Sequence, residues 1–202
     1  MHGGSGVSFG VIEQLRAQRP QARFLELVHR LDRDTSGVLL LAKKRSALTT
    51  LHAALRAGRV KKFYLALVKG KWRGPKQSVR LSLHKYVLAS GERRVAVNPA
   101  GQEAHTVFKL EQAWREFSLL RAELKTGRTH QIRVDLAHLG FPIAGDDKYG
   151  DVELNKRLAR AGLKRMFLHA SSVGFEHPAT GSSLTLEAPL PAELQAFLDT
   201  LE

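Results

Sequence analysis

The segment His29–Gly37 reads His-Arg-Leu-Asp-Arg-Asp-Thr-Ser-Gly and places acidic, basic and hydroxyl side chains close together. An ionised carboxylate such as Asp32 can act as a nucleophile or as a general base when it is held against a substrate atom. Asp34 follows soon after, so a carboxylate pair of the kind used in glycoside hydrolysis is one alternative. We interpret Asp34 instead as a turn-former that bonds neighbouring backbone groups. The local chemistry alone leaves Asp32 open between a catalytic and a structural role.

A second segment that could carry chemistry runs from Lys125 to Arg133. Gly127 allows a tight turn, Thr129 is the expected N-cap of a helix, and the free amides at a helix start attract an anion. Arg133 lies at the margin of the apolar stripe of that helix. A buried guanidinium there needs a carboxylate partner, because an unpaired charge away from water costs several kcal/mol. The alternative is a solvated arginine.

Three further features carry a weaker signal. Tyr64 lies in an apolar strand, where a tyrosine either packs in the core or offers its ring for stacking on a base. We expect the acidic pair Asp146-Asp147 to lie in a solvated loop rather than to bind a cation. His169 and His177 are expected to be structural, because no further metal ligands accompany them in the sequence.

The composition favours a polyanionic partner. Lys and Arg number 32 against 19 Asp and Glu, which gives a formal net charge of +13. Such a field attracts nucleic acid through its phosphates, whereas a generally cationic surface is the alternative. The chain contains no cysteine, which excludes disulfides, thiol nucleophiles and cysteine-ligated metals. No HExxH pattern is present either, so we expect no metal site.

The chain has the composition of a folded protein outside the membrane. Its 202 residues are 43% hydrophobic, which is enough for a substantial core. No apolar run approaches the ~20 residues that a membrane span needs, and the N-terminus has no signal-peptide pattern. We therefore expect a cytoplasmic protein with no membrane partner.

Periodicity predicts the elements that must position these residues. Helices are predicted from a Ser8 cap to Pro20, over 46–58, over 129–139, over 151–161 and from Pro191 onwards. Short strands are predicted on either side of the first segment at 25–28 and 38–42, and a strand that is apolar on both faces over 63–68. Hairpins are predicted over 77–97, 105–124 and 167–188. Because strands and helices do not alternate regularly, we expect an α+β fold on a mainly antiparallel sheet.

Five stretches together resemble the RluA-type pseudouridine synthases, and they follow the family's order through essentially the whole chain. They are His29–Asp32 with Thr35–Gly37, Lys62–Val68, Thr126–Val134, Gly140–Asp146 with Tyr149-Gly150, and Leu168–Ala170 with Glu187–Leu190. The residues around them, including Val38–Leu48, look most like the RluC branch, which modifies large-subunit ribosomal RNA.

The resemblance implies that Asp32 is the catalytic aspartate, that Arg133 pairs with it and that Tyr64 stacks near the target uracil. The pairing would lower the pKa of Asp32 and keep it anionic at pH 7. Arg30 would help to fill the space that the flipped nucleotide leaves. The remaining expected RNA contacts are His29, Arg128, Thr129 and Gln131.

The implied activity is the isomerisation of specific uridines to pseudouridine in 23S ribosomal RNA, by a monomeric base-flipping enzyme that needs no cofactor. The implied fold is a mixed, mainly antiparallel sheet in two subdomains flanked by helices, with the active-site cleft between them. The competing hypothesis is a non-catalytic RNA-binding module, which would keep the positive charge without requiring Asp32 and Arg133 to meet.

The chain departs from the family pattern in two ways. RluC-like enzymes carry an S4-like RNA-binding domain upstream, and a Lys-Pro-x-Gly stretch should precede His2, so we expect residues 1–202 to be the catalytic domain alone. Asp135 stands where many relatives have histidine, and nothing in the sequence explains this change.

Overall fold

The computed structural model describes residues 10–202. Five helices lie in this part of the chain: α1 (Val11–Gln18), α2 (Arg45–Arg56), α3 (Gln131–His138), α4 (Val152–Arg160) and α5 (Ala192–Leu198). The predicted helices are confirmed, although the predicted cap Ser8 lies outside the described residues and Gly10 takes the N-cap position. Asp151 caps α4 by accepting a hydrogen bond from the Leu154 amide at 2.9 Å.

The strands are β1 (Glu26–Leu27), β2 (Ser36–Gly37), β3 (Leu41–Ala42), β4 (Lys61–Lys69), β5 (Lys76–Val87), β6 (Arg93–Val97), β7 (Gln102–Ala113), β8 (Phe117–Leu124), β9 (Leu168–Glu176) and β10 (Ser183–Glu187). One continuous sheet has the order β10-β9-β4-β8-β7-β5-β6, and β2 adds to it beside β9. Every pairing in it is antiparallel except that of β2 with β9. The predicted α+β fold with a mainly antiparallel sheet is confirmed.

Strand β4 occupies the interior of this sheet. It pairs with β8 on one side and β9 on the other, so its backbone groups are bonded along both edges. Ala66, Leu67 and Val68 are fully buried because helices and loops cover both faces of the sheet there. The two-sided apolar pattern over 63–68 therefore predicted the position of this strand correctly.

The strands on either side of the His29–Gly37 segment are much shorter than predicted. β1 and β3 pair with each other over two residues each, in a small separate sheet. The apolar side chains of this region instead pack against α2 and the far end of β9, where Val28, Leu40 and Leu51 are buried together. Burial rather than strand pairing thus accounts for the apolar runs that precede and follow the segment.

Among residues 10–202, none of the helices combines the length and the apolar character required to cross a membrane.

Candidate active site

The backbone around Asp32 forms a tight turn. The Asp32 carbonyl accepts a hydrogen bond from the Thr35 amide at 3.1 Å. Asp34 adopts a left-handed backbone with φ of 64°, a conformation in which Asp is among the tolerated residues. The Arg165 guanidinium donates a 2.6 Å hydrogen bond to the Asp34 carbonyl and so ties the turn to the segment before β9. Asp34 is thus a turn residue, as predicted, but its carboxylate accepts no hydrogen bond from a backbone amide among residues 10–202.

The residues that follow attach this turn to the central sheet. Ser36 and Gly37 pair in parallel with His169 and Ala170 of β9. The Ser36 hydroxyl lies 2.9 Å from Nδ1 of His169, and Nε2 of that ring donates to the Ala188 carbonyl at 3.0 Å. Gly37 has a φ of 111°, and a Cβ there would overlap the Ala170 carbonyl, so only glycine fits. The structural role expected for His169 is confirmed: it anchors the turn that carries Asp32.

Arg133 is buried, and its main partner is not the predicted one. Its Nε and Nη2 donate to the two carboxylate oxygens of Asp146 at 2.7 and 2.6 Å, which is a bidentate pair. Asp32 lies further away, with Oδ2 3.9 Å from Nη1. The guanidinium is only 3% exposed, so the alternative of a solvated arginine is wrong. Asp32 is therefore a weaker partner than Asp146.

Asp146 corrects the expectation of a solvated acidic loop. Its side chain is 1% exposed and also accepts hydrogen bonds from the amides of Lys148 and Tyr149. The hydrogen bonds and charge of Arg133 hold the pKa of Asp146 below its ordinary value in spite of burial. The neighbouring Asp147 is 69% exposed and touches the guanidinium at 3.2 Å. The expectation is thus wrong for Asp146, because a buried arginine requires a fixed counter-charge.

The electrostatics of Asp32 also differ from the expectation. Burial raises the pKa of Asp32 above its ordinary value, while His130 and then Arg133 act in the opposite direction. The predicted lowering by Arg133 is present but smaller than the effect of burial, and the negative charge of Asp146 raises the pKa of Asp32 further. The result is a carboxyl group that is 26% exposed at the end of a buried ion pair. Such a group can reach a ligand, whereas Asp146 cannot.

His130 and Tyr149 complete the surroundings of Asp32, and the predicted site did not include them. His130 takes the N-cap position of α3 that was predicted for Thr129, with a left-handed backbone at φ 54° and no side-chain cap bond. Its Nδ1 lies 2.8 Å from the Tyr149 hydroxyl, which also accepts the Val95 amide proton at 2.9 Å. Burial raises the pKa of Tyr149 to about 12, so the phenol keeps its proton at physiological pH. The signal that could have found both residues is their position inside the matched stretches.

Tyr64 belongs to β4 and lies near Asp32. It is 7% exposed, and its hydroxyl bonds to no group in the part of the chain that the structure describes. Burial first, and the nearby Asp32 charge second, raise the pKa of Tyr64 far above its ordinary value. The group therefore acts as a neutral hydroxyl at physiological pH.

The residues expected to contact RNA fall into two groups. Arg30, Arg128 and Thr129 are exposed and available to a ligand. His29 is half-buried, and its Nε2 accepts a hydrogen bond from the Leu40 amide at 3.1 Å. Burial lowers the pKa of this ring to about 4. This neutral ring supports the backbone before the Asp32 turn, which corrects its predicted role.

Gln131 is the second correction among the expected RNA contacts. It is 2% exposed, and its amide oxygen accepts from the Thr126 hydroxyl and the Arg128 amide at 2.9 Å each. Its nitrogen donates to the His105 carbonyl at 3.1 Å and the Thr106 hydroxyl at 2.9 Å. With all of these bonds made inside the protein, Gln131 shapes the loop that leads to His130 rather than touching a ligand.

Asp135 extends the same network into the core. It is 1% exposed, and Oδ2 accepts the Thr106 hydroxyl at 2.7 Å. Oδ1 is buried without a partner, and burial raises the pKa of Asp135 to about 6. The departure noted in the sequence is therefore a carboxyl group that joins α3 to β7 and takes up its proton at a higher pH than an ordinary aspartate.

Residues 10–138 match a family described as RNA pseudouridylate synthase. The full chain is 55% identical to "Ribosomal large subunit pseudouridine synthase C" of Salmonella typhi and of Escherichia coli strain K12, in each case over 203 aligned residues and 64% of the relative. It is 54% identical to the protein of that name from Haemophilus influenzae, over 62% of that relative. The chain thus spans less than two thirds of the length of these curated relatives.

Solved structures agree with the family match. Human RNA Pseudouridylate Synthase Domain Containing 1 superposes with a TM-score of 0.77 at 25% identity, over 97% of this chain and 81% of that one. Human RNA Pseudouridylate Synthase Domain Containing 4 superposes with a TM-score of 0.72 at 25% identity, over 95% and 81% of the two chains. The sheet and helices described above are therefore arranged as in these two structures.

Proposed function

Because the chain belongs to the RNA pseudouridylate synthase family, we propose that it isomerises uridine to pseudouridine in large-subunit ribosomal RNA, with Asp32 as the catalytic carboxylate. The names of the curated relatives support the choice of RNA. The formal charge of +13 supports a polyanionic substrate. We assign the catalytic domain to residues 1–202, acting as a cytoplasmic monomer.

One observation carries the assignment of Asp32. Three carboxylates surround Arg133: Asp146 is buried in a bidentate pair and Asp147 is hydrogen-bonded to the guanidinium at 3.2 Å, whereas Asp32 is partly open and its nearest guanidinium nitrogen lies 3.9 Å away. A carboxylate that is free to leave its partner can attack or remove a proton, whereas the bidentate Asp146 is held in place. Arg133 then acts as a charge that Asp146 positions beside the reacting group.

The reaction breaks the N1–C1′ bond of uridine, turns the uracil and rejoins it through C5, so that no atom is gained or lost. The uracil must leave the RNA stack to reach Asp32, which implies base flipping. The first step of Asp32 is attack on the sugar, attack on the base or removal of a sugar proton. We assign Tyr64, a neutral hydroxyl near Asp32, to contact the uracil and to pass on the proton that leaves C5.

Two exposed groups support RNA binding around this centre. Arg30 lies two positions before Asp32 and is exposed, so it can occupy the space that the flipped nucleotide leaves. Arg128 and Thr129 are exposed at the loop before α3, and Arg128 is oriented by a 2.9 Å hydrogen bond from Nε to the Glu103 carbonyl.

Incubation with a bacterial large-subunit ribosomal RNA transcript, followed by carbodiimide-based mapping of pseudouridine, tests this function. We expect a small number of discrete modified positions, and none in a small-subunit transcript treated in parallel. A protein that binds the transcript but leaves every uridine unmodified would support the competing RNA-binding module and refute the proposed activity.

A further inference from the structure

Lys62 is a half-buried cation without a counter-charge. It lies in β4, and its ammonium group forms neither an ion pair nor a hydrogen bond with any residue in the described range 10–202. Burial lowers the pKa of its ammonium group, which is the expected effect when a charge leaves water without a partner. An unpaired charge in such a place is costly, so it is retained where a ligand supplies the missing charge.

The groups around the ammonium of Lys62 give it space but no negative charge. The nearby His29 is held neutral, and the charge of Lys62 helps to lower the pKa of that ring. Gly127 also lies close to the ammonium group, since a Cβ added at Gly127 would be 3.0 Å from Nζ of Lys62. Gly127 has no left-handed backbone that would require glycine. The absence of a side chain at 127 thus makes room for the ammonium group rather than for a turn.

Lys62 is also close to the reacting centre. Successive residues of a strand point to opposite faces, so Lys62 and Tyr64 share one face of β4. The charge of Asp32 acts directly on Tyr64. His29, which feels the charge of Lys62, begins the segment that contains Asp32. An anion bound by Lys62 would therefore lie beside a nucleotide placed at Asp32.

We propose that Lys62 binds a phosphate group of the RNA strand next to the reacting uridine. This proposal rests on the RNA modification proposed above. Phosphate is the anion that such a substrate presents at every nucleotide, and Lys is a common point-charge ligand for it. The contact would fix the backbone while the uracil rotates free of its sugar, so it would contribute to binding and register rather than to the chemical step.

Lys62→Met tests the contact, with Lys61→Met as a matched control. The control removes the same charge from the neighbouring exposed position, whose side chain points to the other face of β4. We expect Lys62→Met to raise the dissociation constant and the KM for the RNA about 10-fold and to leave kcat within about twofold. The slope of log binding constant against log salt concentration should become shallower by about 0.7 to 1. Equal changes in both variants would overturn the proposal.

Thermal unfolding separates this role from a structural one. Because Lys62→Met removes a half-buried charge without a partner, we expect the variant to unfold at the same or a higher temperature than the unmodified protein. A clear fall in the unfolding temperature would show that Lys62 supports the fold, and would overturn the proposal.

Two couplings locate the phosphate. One phosphate at a time near the target uridine is replaced by a neutral methylphosphonate. At one position the replacement should weaken RNA binding to the unmodified protein by about the same factor as Lys62→Met does. At that position it should not weaken RNA binding to the Lys62→Met variant any further. Gly127→Ala, which displaces the ammonium group, should raise KM in the unmodified protein but not in Lys62→Met. Additive effects in both experiments would contradict a direct contact. A failure of the proposed function is recognised separately, because the unmodified protein would then form no pseudouridine.

Discussion

Removal of the Asp146 carboxylate should destabilise the protein far more than removal of Asp32. Asp146→Ala leaves the guanidinium of Arg133, 3% exposed, without its bonds of 2.6 and 2.7 Å. Breaking a buried ion pair from one side costs about 3–5 kcal/mol. In a domain of this size, such a loss lowers the unfolding temperature by roughly 6–20 °C.

Asp32→Ala should behave differently because its distance to the guanidinium is 3.9 Å and burial already disfavours its charge. We expect its free energy of unfolding at pH 7 to change by less than about 1 kcal/mol, or to rise slightly. Arg133→Met should cost about as much as Asp146→Ala. The double variant of Arg133 and Asp146 should cost less than the sum, since no unpaired buried charge remains.

Urea unfolding followed by circular dichroism measures all four variants on one scale. The reasoning predicts strong coupling between Arg133 and Asp146 and a stable Asp32→Ala protein. It would be refuted if Asp32→Ala were as unstable as Asp146→Ala, because Asp32 would then be the structural partner of the arginine.

Three further predictions concern the turn, the core and the reaction. Gly37→Ala should unfold at a markedly lower temperature and lose activity, because its Cβ would overlap the Ala170 carbonyl; unchanged melting would contradict the close docking. Asp135 has a folded-state pKa of about 6 against an ordinary 3.8, so the folded state binds this proton more tightly and stability falls as pH rises from about 4 to about 7. The free energy of unfolding should fall by about 3 kcal/mol over this pH range in the unmodified protein but not in Asp135→Asn. Urea unfolding of both proteins at a series of pH values measures this difference, and the same pH dependence in both would contradict it. Tyr64→Phe should lower kcat by about 100-fold with KM and melting unchanged, whereas an unchanged kcat would restrict Tyr64 to stacking.

Local patterns were sufficient for the parts of the fold that depend on nearby residues. The apolar run over 63–68 predicted an interior strand, and β4 has a partner along both edges. The turn role of Asp34 also follows from local chemistry, since Asp tolerates the left-handed backbone that the turn needs. The strands around the turn were predicted too long, because apolar runs report burial and not backbone pairing.

Contacts between distant segments could not be predicted in the same way. Arg133 was correctly expected to need a carboxylate. Whether that carboxylate is Asp32 or Asp146 depends on where the folded chain brings the two aspartates relative to the Arg133 side chain, and the sequence does not give this. Gln131 has the same polar character as a ligand contact, and only the fold shows that all of its hydrogen bonds are internal. Sequence alone does not reveal which polar side chains are already satisfied.

The most direct test of the central assignment compares Asp32→Asn with Asp34→Asn. Both replace a carboxylate by an amide of the same shape, and Asn tolerates the left-handed backbone at position 34. With large-subunit ribosomal RNA as substrate, we expect Asp32→Asn to form no detectable pseudouridine while it binds the RNA and melts normally, and Asp34→Asn to retain activity. Pseudouridine formed by Asp32→Asn at the rate of the unmodified protein would contradict the assignment of Asp32 as the catalytic residue.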